Sequence, residues 1–120
     1  MKETKSTNPE LIQLIRFLKI QSREKEANIW RDVAEHLAKT KQQRATVNLS
    51  RINRHTQKKD MIVVPGKILG TGTLNHAITV AALSASETAK EKLKAAKAKY
   101  LSIPEFVKKN PKGAKVKIIR

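Results

Sequence analysis

The most restrictive feature of the sequence is a basic segment, KQQRATVNLSRINRHTQKKD, which runs from Lys41 to Asp60. It contains six lysines or arginines, and its only acidic residue is the last one. A solvated surface usually mixes both signs of charge, so this segment repels itself unless a polyanion lies beside it. Val47, Leu49 and Ile52 nevertheless follow strand-like spacing within it. We predict that these three anchor the segment on a core while its basic side chains point outward. The predicted outward set is Arg44, Arg51, Arg54, Lys58 and Lys59.

The excess of positive charge extends beyond this segment but is uneven. The chain has 26 basic and 10 acidic residues, for a formal net charge of +16. Residues 1–40 carry 8 basic and 6 acidic residues, whereas residues 81–120 carry 11 and 3. Such a charge attracts nucleic acid, anionic membranes or acidic proteins. We expect the partner to contact the middle and the end of the chain.

Several absences narrow the class of protein. There is no run of about 18 apolar residues that could span a membrane, and the first residues lack the apolar centre of a signal peptide. The sequence has no cysteine, which excludes disulfides, thiolate zinc sites and cysteine nucleophiles. We expect a cytoplasmic protein that does not bind a membrane. Its 120 residues fit one domain of about 100–150 residues.

The first forty residues predict a helical hairpin. A cap at Asn8 followed by Pro9 opens a helix that we expect to reach Lys25. Its apolar residues cover so much of its surface that we expect it to pack on two sides. A second amphipathic pattern, NIWRDVAEHLAKT, predicts another helix with Asn28 as its cap.

The rest of the chain alternates strand and helix signals. We expect residues 41–60 to be extended and partly strand, and two short strands at Met61–Val64 and Ile78–Leu83, separated by turns at Pro65 and three glycines. The stretch SETAKEKLKAAKAKY predicts a helix behind Ser84 or Ser86, and a shorter helix follows from Pro104 to Lys109. The ending AKVKIIR predicts a final strand. The fold class is therefore α/β: a helical hairpin over 1–40, an extended basic segment over 41–60 and a small core of short strands and helices over 61–120.

The sequence contains no recognisable catalytic or metal-binding motif. The cluster of Gly66, Gly70 and Gly72 lacks the spacing of nucleotide-binding loops, so turns with positive φ or close backbone approach explain it better. The three histidines are not at metal-ligand spacing. His36 is expected to be partly buried, whereas His55 and His76 are candidates for contact with RNA. We predict that the protein is not an enzyme and needs no cofactor, metal or small-molecule substrate.

Three classes of protein other than an RNA-binding protein remain open at this point. A basic DNA-binding or chromatin-type protein would share the charge, but it would usually carry its basic residues on a recognition helix. A protein bound at a membrane surface would need a helix with a larger apolar face than the one after Glu87. An enzyme that uses the glycine turn would be stabilised by nucleotide. Only 3% of the residues are aromatic, which favours recognition of RNA shape and backbone over stacking on bases.

Two stretches of sequence resemble a known family. RATVNLSRINRHT, residues 44–56, and VVPGKILGTGTLNHAITVAALSASETAKEKL, residues 63–93, are similar to the archaeal and eukaryotic large-subunit ribosomal protein eighteen family. The similarity extends to WRDVAEHL and to the ending GAKVKIIR. The string Val-Asn-Leu-Ser-Arg-Ile is specific to that family, whereas the glycine turn also resembles the ribosomal protein fifteen family. The length is similar to that of the archaeal members.

The resemblance implies a structural component of the large ribosomal subunit. Such a protein would bind large-subunit ribosomal RNA (rRNA), lie beside other large-subunit proteins and have no catalytic role. Its core would be an irregular superhelix of strands and helices. We predict RNA contacts from basic extended segments and glycine-rich turns, at Lys41, Arg44, Arg51, Arg54, His55, Lys58, Lys59, Lys67, His76, Lys112, Lys115, Lys117 and Arg120.

The sequence departs from the family pattern at two places. Residues 40–42, Thr-Lys-Gln, stand where proline and two arginines are expected. Thr73 and Asn75 stand where acidic residues are common, which removes two negative charges from the glycine turn. We expect this second change to favour the approach of a phosphate.

Overall fold

The computed structural model describes residues 9–39 and 44–120, and its first two helices confirm the predicted hairpin. Helix α1 spans Pro9–Glu24 and helix α2 spans Asn28–Leu37. The N-cap of α2 is Ala27, without a side-chain hydrogen bond, so the predicted cap at Asn28 is wrong. The predicted cap Asn8 and residues 40–42 lie outside the described residues.

Within the described residues, helix α1 makes its main contact with α2. Its buried residues Leu11, Ile15, Leu18 and Ser22 recur at intervals of four and three, which places them on one face. Ile20 is 41% exposed. The apolar stripe of α1 is thus wider than the surface that the described residues cover at Ile20, and packing on a second side stays a prediction.

Five strands in the described part of the chain form one sheet in which every pair is parallel. They are β1 (Ala45–Asn48), β2 (Met61–Leu69), β3 (Thr79–Ala85), β4 (Lys99–Ser102) and β5 (Val116–Ile118). The order is β1-β2-β3-β4. Strand β1 pairs with residues 66–69 of β2 and β5 pairs with residues 61–63, so both share the edge of β2 that β3 leaves open. The predicted final strand is confirmed, whereas β4 was not predicted.

Three helices connect these strands. They are α3 (Leu49–His55), α4 (Glu87–Ala95) and α5 (Ile103–Lys109). The prediction of an extended chain over 41–60 is wrong for α3, because Leu49 and Ile52 are packed as one face of a helical turn. Ser86 caps α4 by accepting the Ala89 N–H at 3.1 Å.

The predicted end of α4 is wrong, whereas the predicted start of α5 is confirmed. Helix α4 ends at Ala95, so its predicted continuation to Tyr100 is wrong. The predicted pairing of Ser102 with Glu105 at the start of α5 is confirmed, because the Ser102 hydroxyl accepts the Glu105 N–H at 3.4 Å and donates to its carboxylate at 2.9 Å.

The described residues form two hydrophobic clusters, one on each face of the sheet. Val63 and Ala81 belong to the cluster beneath α1, α2 and α5, where Trp30 is fully buried. Ile62 and Val80 belong to the cluster beneath α3 and α4. Because successive residues of a strand point to opposite faces, a sheet covered on both faces needs a continuous apolar run such as that of β2.

Strand β2 continues through Pro65 and Gly66, where the sequence predicts a turn. The pairing register with β3 shifts between Val64 and Lys67, which accommodates the missing N–H of Pro65. A Cβ at Gly66 would lie 1.9 Å from the Ala45 carbonyl oxygen. The glycine therefore allows the close approach of β1, and the predicted turn at these two residues is wrong.

Candidate nucleic-acid interface

Helix α3 separates apolar anchors from exposed basic side chains. Leu49 and Ile52 are fully buried, which confirms their predicted role as anchors, and Val47 in β1 is buried as well. Arg51 and Arg54 are exposed on the other side of the helix. This division follows from the helical period of 3.6 residues, which places positions 49 and 52 on one face. The short helix thus presents cations to solvent from a firmly packed base.

The glycine loop, residues 70–77, runs along α3 and the turn that follows it. The Ser50 N–H donates to the Thr71 carbonyl at 3.1 Å, and the Asn75 N–H donates to Asn53 Oδ1 at 3.0 Å. Further along, the Lys59 N–H donates to the Ala77 carbonyl at 2.8 Å. We call residues 50–59 and 70–77 together the α3–loop surface.

Lys92 holds the glycine loop from the other side. Its Nζ atom in α4 donates to the carbonyl oxygens of Gly70 and Gly72, each at 2.7 Å. Gly72 has φ of 90°, and a Cβ there would lie 2.5 Å from the Ser50 Cβ. These contacts confirm that the glycines serve positive φ and close backbone approach.

The half-buried side chain of His76 fastens the end of the loop to the end of α3. Thr56 is buried, and its hydroxyl donates to the Ile52 carbonyl at 2.7 Å. The same oxygen lies 2.7 Å from His76 Nε2. Because a hydroxyl has a single proton to donate, it accepts here and Nε2 carries the proton. His76 therefore positions the loop within the protein, whereas His55 is exposed.

Asp60, the single acid of the basic segment, is engaged within the protein. Its Oδ2 atom accepts the Gln57 N–H at 2.8 Å and forms an ion pair with Lys117 Nζ at 2.9 Å. The Gln57 hydrogen bond, followed by the Lys117 bond, lowers the pKa of the Asp60 carboxyl. Asp60 thus closes the turn before β2 and ties β5 to it.

A second basic group lies at the carboxyl end of α2. The half-buried Arg44 donates from Nε to the Leu37 and Lys39 carbonyls, each at 3.2 Å, so its predicted outward position is wrong. The Arg120 guanidinium contacts His36 Nε2. Burial, and then the charges of Lys39 and Arg120, lower the pKa of His36. His36 is half-buried as predicted, and its neutral Nε2 can accept the guanidinium bond.

The predicted RNA contacts fall into three groups. The first group is exposed and forms no ion pair or side-chain hydrogen bond with the described part of the chain: Arg51, Arg54, His55, Lys58, Lys59, Lys67, Lys112 and Lys115. The second group is engaged within the protein: Arg44, His76, Lys117 and Arg120. Lys41 lies outside the described residues. Lys92 was not predicted to have a special role, because nothing local distinguishes it from the other lysines of α4.

Within residues 9–39 and 44–120, no group of three histidine, aspartate or glutamate residues could hold a metal ion. Over the same residues, the structure contains no helix that is both long and apolar enough to cross a membrane. Exposed cations on short, well-anchored elements are what the described residues present at this site.

The family model for ribosomal protein 60S L18 and 50S L18e matches residues 1–120. The chain belongs to this family. Similar proteins include the large ribosomal subunit protein eL18 of Methanoregula boonei, 48% identical over 95% of this chain and 94% of that protein. The protein of the same name from Methanococcus maripaludis is 46% identical over 99% of both chains. The members of this family are ribosomal structural proteins, so the prediction that the chain is not an enzyme is confirmed.

Proposed function

We propose that the protein is a structural constituent of the large ribosomal subunit in the cytoplasm and binds large-subunit rRNA through the α3–loop surface. The observation that carries the proposal is the exposure of Arg51, Arg54 and Lys58 beside a loop fixed by Lys92. The family relationship supports the ribosome as the location of that RNA. We further propose that residues 1–120 are a single domain with other large-subunit proteins as neighbours.

The chemistry of this surface suits an RNA backbone. Arginine presents a planar fork of donors that matches the oxygens of a phosphate, and lysine supplies a mobile point charge. Thr73 and Asn75 are exposed in the loop and add no negative charge. The buried anchors Leu49 and Ile52 limit how far the cations can move, which reduces the entropy cost of binding.

The experiment that tests this function is sedimentation of the protein from a gentle lysate of its source cells, at low and high salt. We expect it to travel with the large ribosomal subunit and to leave only in harsh salt or after RNase. A protein that stays at the top of the untreated gradient contradicts the proposal. Recovery with DNA would instead support the chromatin-type alternative.

The contribution of the α3–loop surface is tested with purified protein and protein-free large-subunit rRNA. We expect Arg51→Ala with Arg54→Ala to weaken binding and to lower the magnitude of the salt slope by about 2, because each arginine neutralises about one phosphate. Arg31→Ala is the control, because Arg31 lies on α2 in an ion pair with Glu35 at 3.4 Å. Equal binding by both variants contradicts the assignment of this surface.

A further inference from the structure

Four residues other than glycine have positive φ in the parts of the chain that the structure describes. They are Glu26 (52°), Lys59 (71°), Lys97 (60°) and Lys115 (61°). L-residues avoid this region for steric reasons, and glycine is the usual occupant. Three of the four are lysines, each one or two residues before a strand. Within the described chain, none of these three lysines has an ion pair or side-chain hydrogen bond that explains the choice of residue.

Lys97 occupies the position after a helix that most often holds glycine. The Ala98 N–H donates to the Leu93 carbonyl at 2.9 Å, and the Lys97 N–H donates to the Lys94 carbonyl at 3.0 Å. This pair of bonds defines a Schellman motif, in which the left-handed residue is usually glycine. The chain has lysine there despite the steric cost.

Lys59 and Lys115 occupy equivalent positions in two β-turns. Lys59 is the third residue of a turn closed by a 3.1 Å hydrogen bond from the Asp60 N–H to the Gln57 carbonyl. Lys115 is the third residue of the turn before β5, whose closing hydrogen bond measures 3.4 Å. A positive φ at the third residue of a turn favours glycine or asparagine. Both positions therefore hold lysine where its backbone preference is unfavourable.

The three lysines lie at the end of the sheet that the amino ends of its strands form. In register across it, Val116 of β5 pairs with Met61 of β2, which pairs with Thr79 of β3, which pairs with Lys99 of β4. At the amino ends of β5, β2 and β4, Lys115 lies one residue before this row, and Lys59 and Lys97 lie two residues before it. Adjacent strands are about 4.8 Å apart, so the turn before β5 neighbours the turn before β2. Strand β3 lies between β2 and β4 and separates the turn before β4 from them by about two strand spacings. All three lysines are exposed.

Interactions within the protein do not account for the lysines at positions 59 and 115. A cation near the carboxyl end of a helix is favoured by the helix dipole, but the effect fades within the last turn. That explanation suits Lys97, which directly follows the cap of α4. It does not suit Lys59 or Lys115, which lie four and six residues beyond the last residues of α3 and α5. Backbone strain that folding does not require is typical of functional positions.

We propose that Lys59, Lys97 and Lys115 form a phosphate-binding edge that contacts the backbone of large-subunit rRNA. This inference rests on the proposed function and extends it, because it adds Lys97 and Lys115, which lie outside the α3–loop surface, and makes the strained turns part of the RNA contact. All three side chains are exposed at turns that precede the amino ends of β2, β4 and β5. Contacts to phosphate carry no sequence information, so the edge contributes affinity and orientation.

The test replaces the three lysines with glycine, singly and together. Glycine relieves the steric strain and removes the charge, so we expect the variants to resist urea as well as or better than the unaltered protein. We expect the magnitude of the salt slope of rRNA binding to fall by about 1 for each single variant and about 3 for the triple variant. The RNA is protein-free large-subunit rRNA of Methanococcus maripaludis, titrated over a series of KCl concentrations.

Glu26→Gly is the matched control. Glu26 follows α1 in the same kind of motif, with the Ala27 N–H donating to the Ser22 carbonyl at 3.0 Å. We expect this variant to resist urea at least as well as the unaltered protein and to leave the salt slope unchanged. A triple Lys→Gln variant removes the charges but keeps the strained backbone, so its slope should fall without an increase in stability.

The outcomes separate this inference from the proposed function. An unaltered salt slope in both triple variants, with wild-type protein binding tightly, overturns the phosphate-binding edge and leaves the α3–loop surface in place. Absence of binding by the wild-type protein overturns both proposals. Unfolding of the Lys59→Gly or Lys115→Gly variant at lower urea than the unaltered protein contradicts the argument that these lysines are retained for their charge.

Discussion

Replacement of Lys92 by methionine is expected to loosen the glycine loop without altering α4, the helix on which residue 92 lies. The substitution removes the ammonium that bonds to the Gly70 and Gly72 carbonyls but keeps a flexible side chain of similar length. A hydrogen bond to a charged group contributes about 1.5–3 kcal/mol. Lys92 is half-exposed, so water partly replaces both bonds, and we expect the free energy of unfolding to fall by about 1.5–3 kcal/mol in total.

The assay is urea unfolding followed by circular dichroism, with Lys94→Met as the matched control. Lys94 lies on the same helix and is exposed, so its substitution removes the same charge with no effect on the loop. We expect the control to stay within about 0.5 kcal/mol of the unaltered protein. Hydrogen exchange should also accelerate at the Asn75 N–H, which the Asn53 side chain accepts.

The effect of Lys92→Met on RNA binding distinguishes positioning from direct contact. If Lys92 only positions the loop, affinity for rRNA falls while the salt slope stays constant, because the number of neutralised phosphates is unchanged. A slope that falls by about 1 would show that Lys92 itself contacts phosphate. Equal stability of the Lys92→Met and Lys94→Met variants would refute the reasoning about the loop.

Three further predictions concern the fold. Gly66→Ala should lower the free energy of unfolding by about 1–3 kcal/mol or more, because its Cβ would lie 1.9 Å from the Ala45 carbonyl oxygen. If Gly66→Ala and Lys67→Ala unfold at the same urea concentration, this prediction is wrong. Trp30→Phe removes the 2.7 Å hydrogen bond from Nε1 to the Pro111 carbonyl and should cost about 1–3 kcal/mol, measured by thermal unfolding and refuted by an unchanged midpoint. The lowered pKa of His36 means that the unfolded chain binds its proton more readily, so stability should fall as the pH drops below about 6.5. A His36→Gln variant with the same pH dependence of its midpoint would contradict that assignment.

Local patterns were sufficient to predict much of the fold. The apolar period of α1 and α2 predicts both helices, and the Ser102–Glu105 pair predicts the start of α5. These features depend on residues within a few positions of one another. Two of the wrong predictions concern segments whose structure depends on contacts between distant residues. Strand β2 passes through Pro65, where the register with β3 shifts, and Leu49–His55 is helical where it packs on the sheet.

The candidate site was predictable in kind but not in arrangement. Single-sign charge identifies Arg51, Arg54 and Lys58 as exposed cations, because such charges are too costly to bury. The same reasoning placed Arg44 outward, where its hydrogen bonds to the end of α2 hold it half-buried. The hydrogen bonds from Lys92 to the glycine loop connect residues that are 20 and 22 positions apart in the sequence, and no local pattern predicts them.

The sequence by itself determined the class of fold, the buried anchors and the basic character of the partner-facing segments, because hydrophobic period and charge are properties of neighbouring residues. The tertiary structure alone decided that three separate turns lie at the amino ends of strands in one sheet, with Lys59, Lys97 and Lys115 in a strained backbone conformation. Parallel pairing of β5 with β2, of β2 with β3 and of β3 with β4 aligns the amino ends of these strands. That alignment is made by hydrogen bonds between segments far apart in the chain.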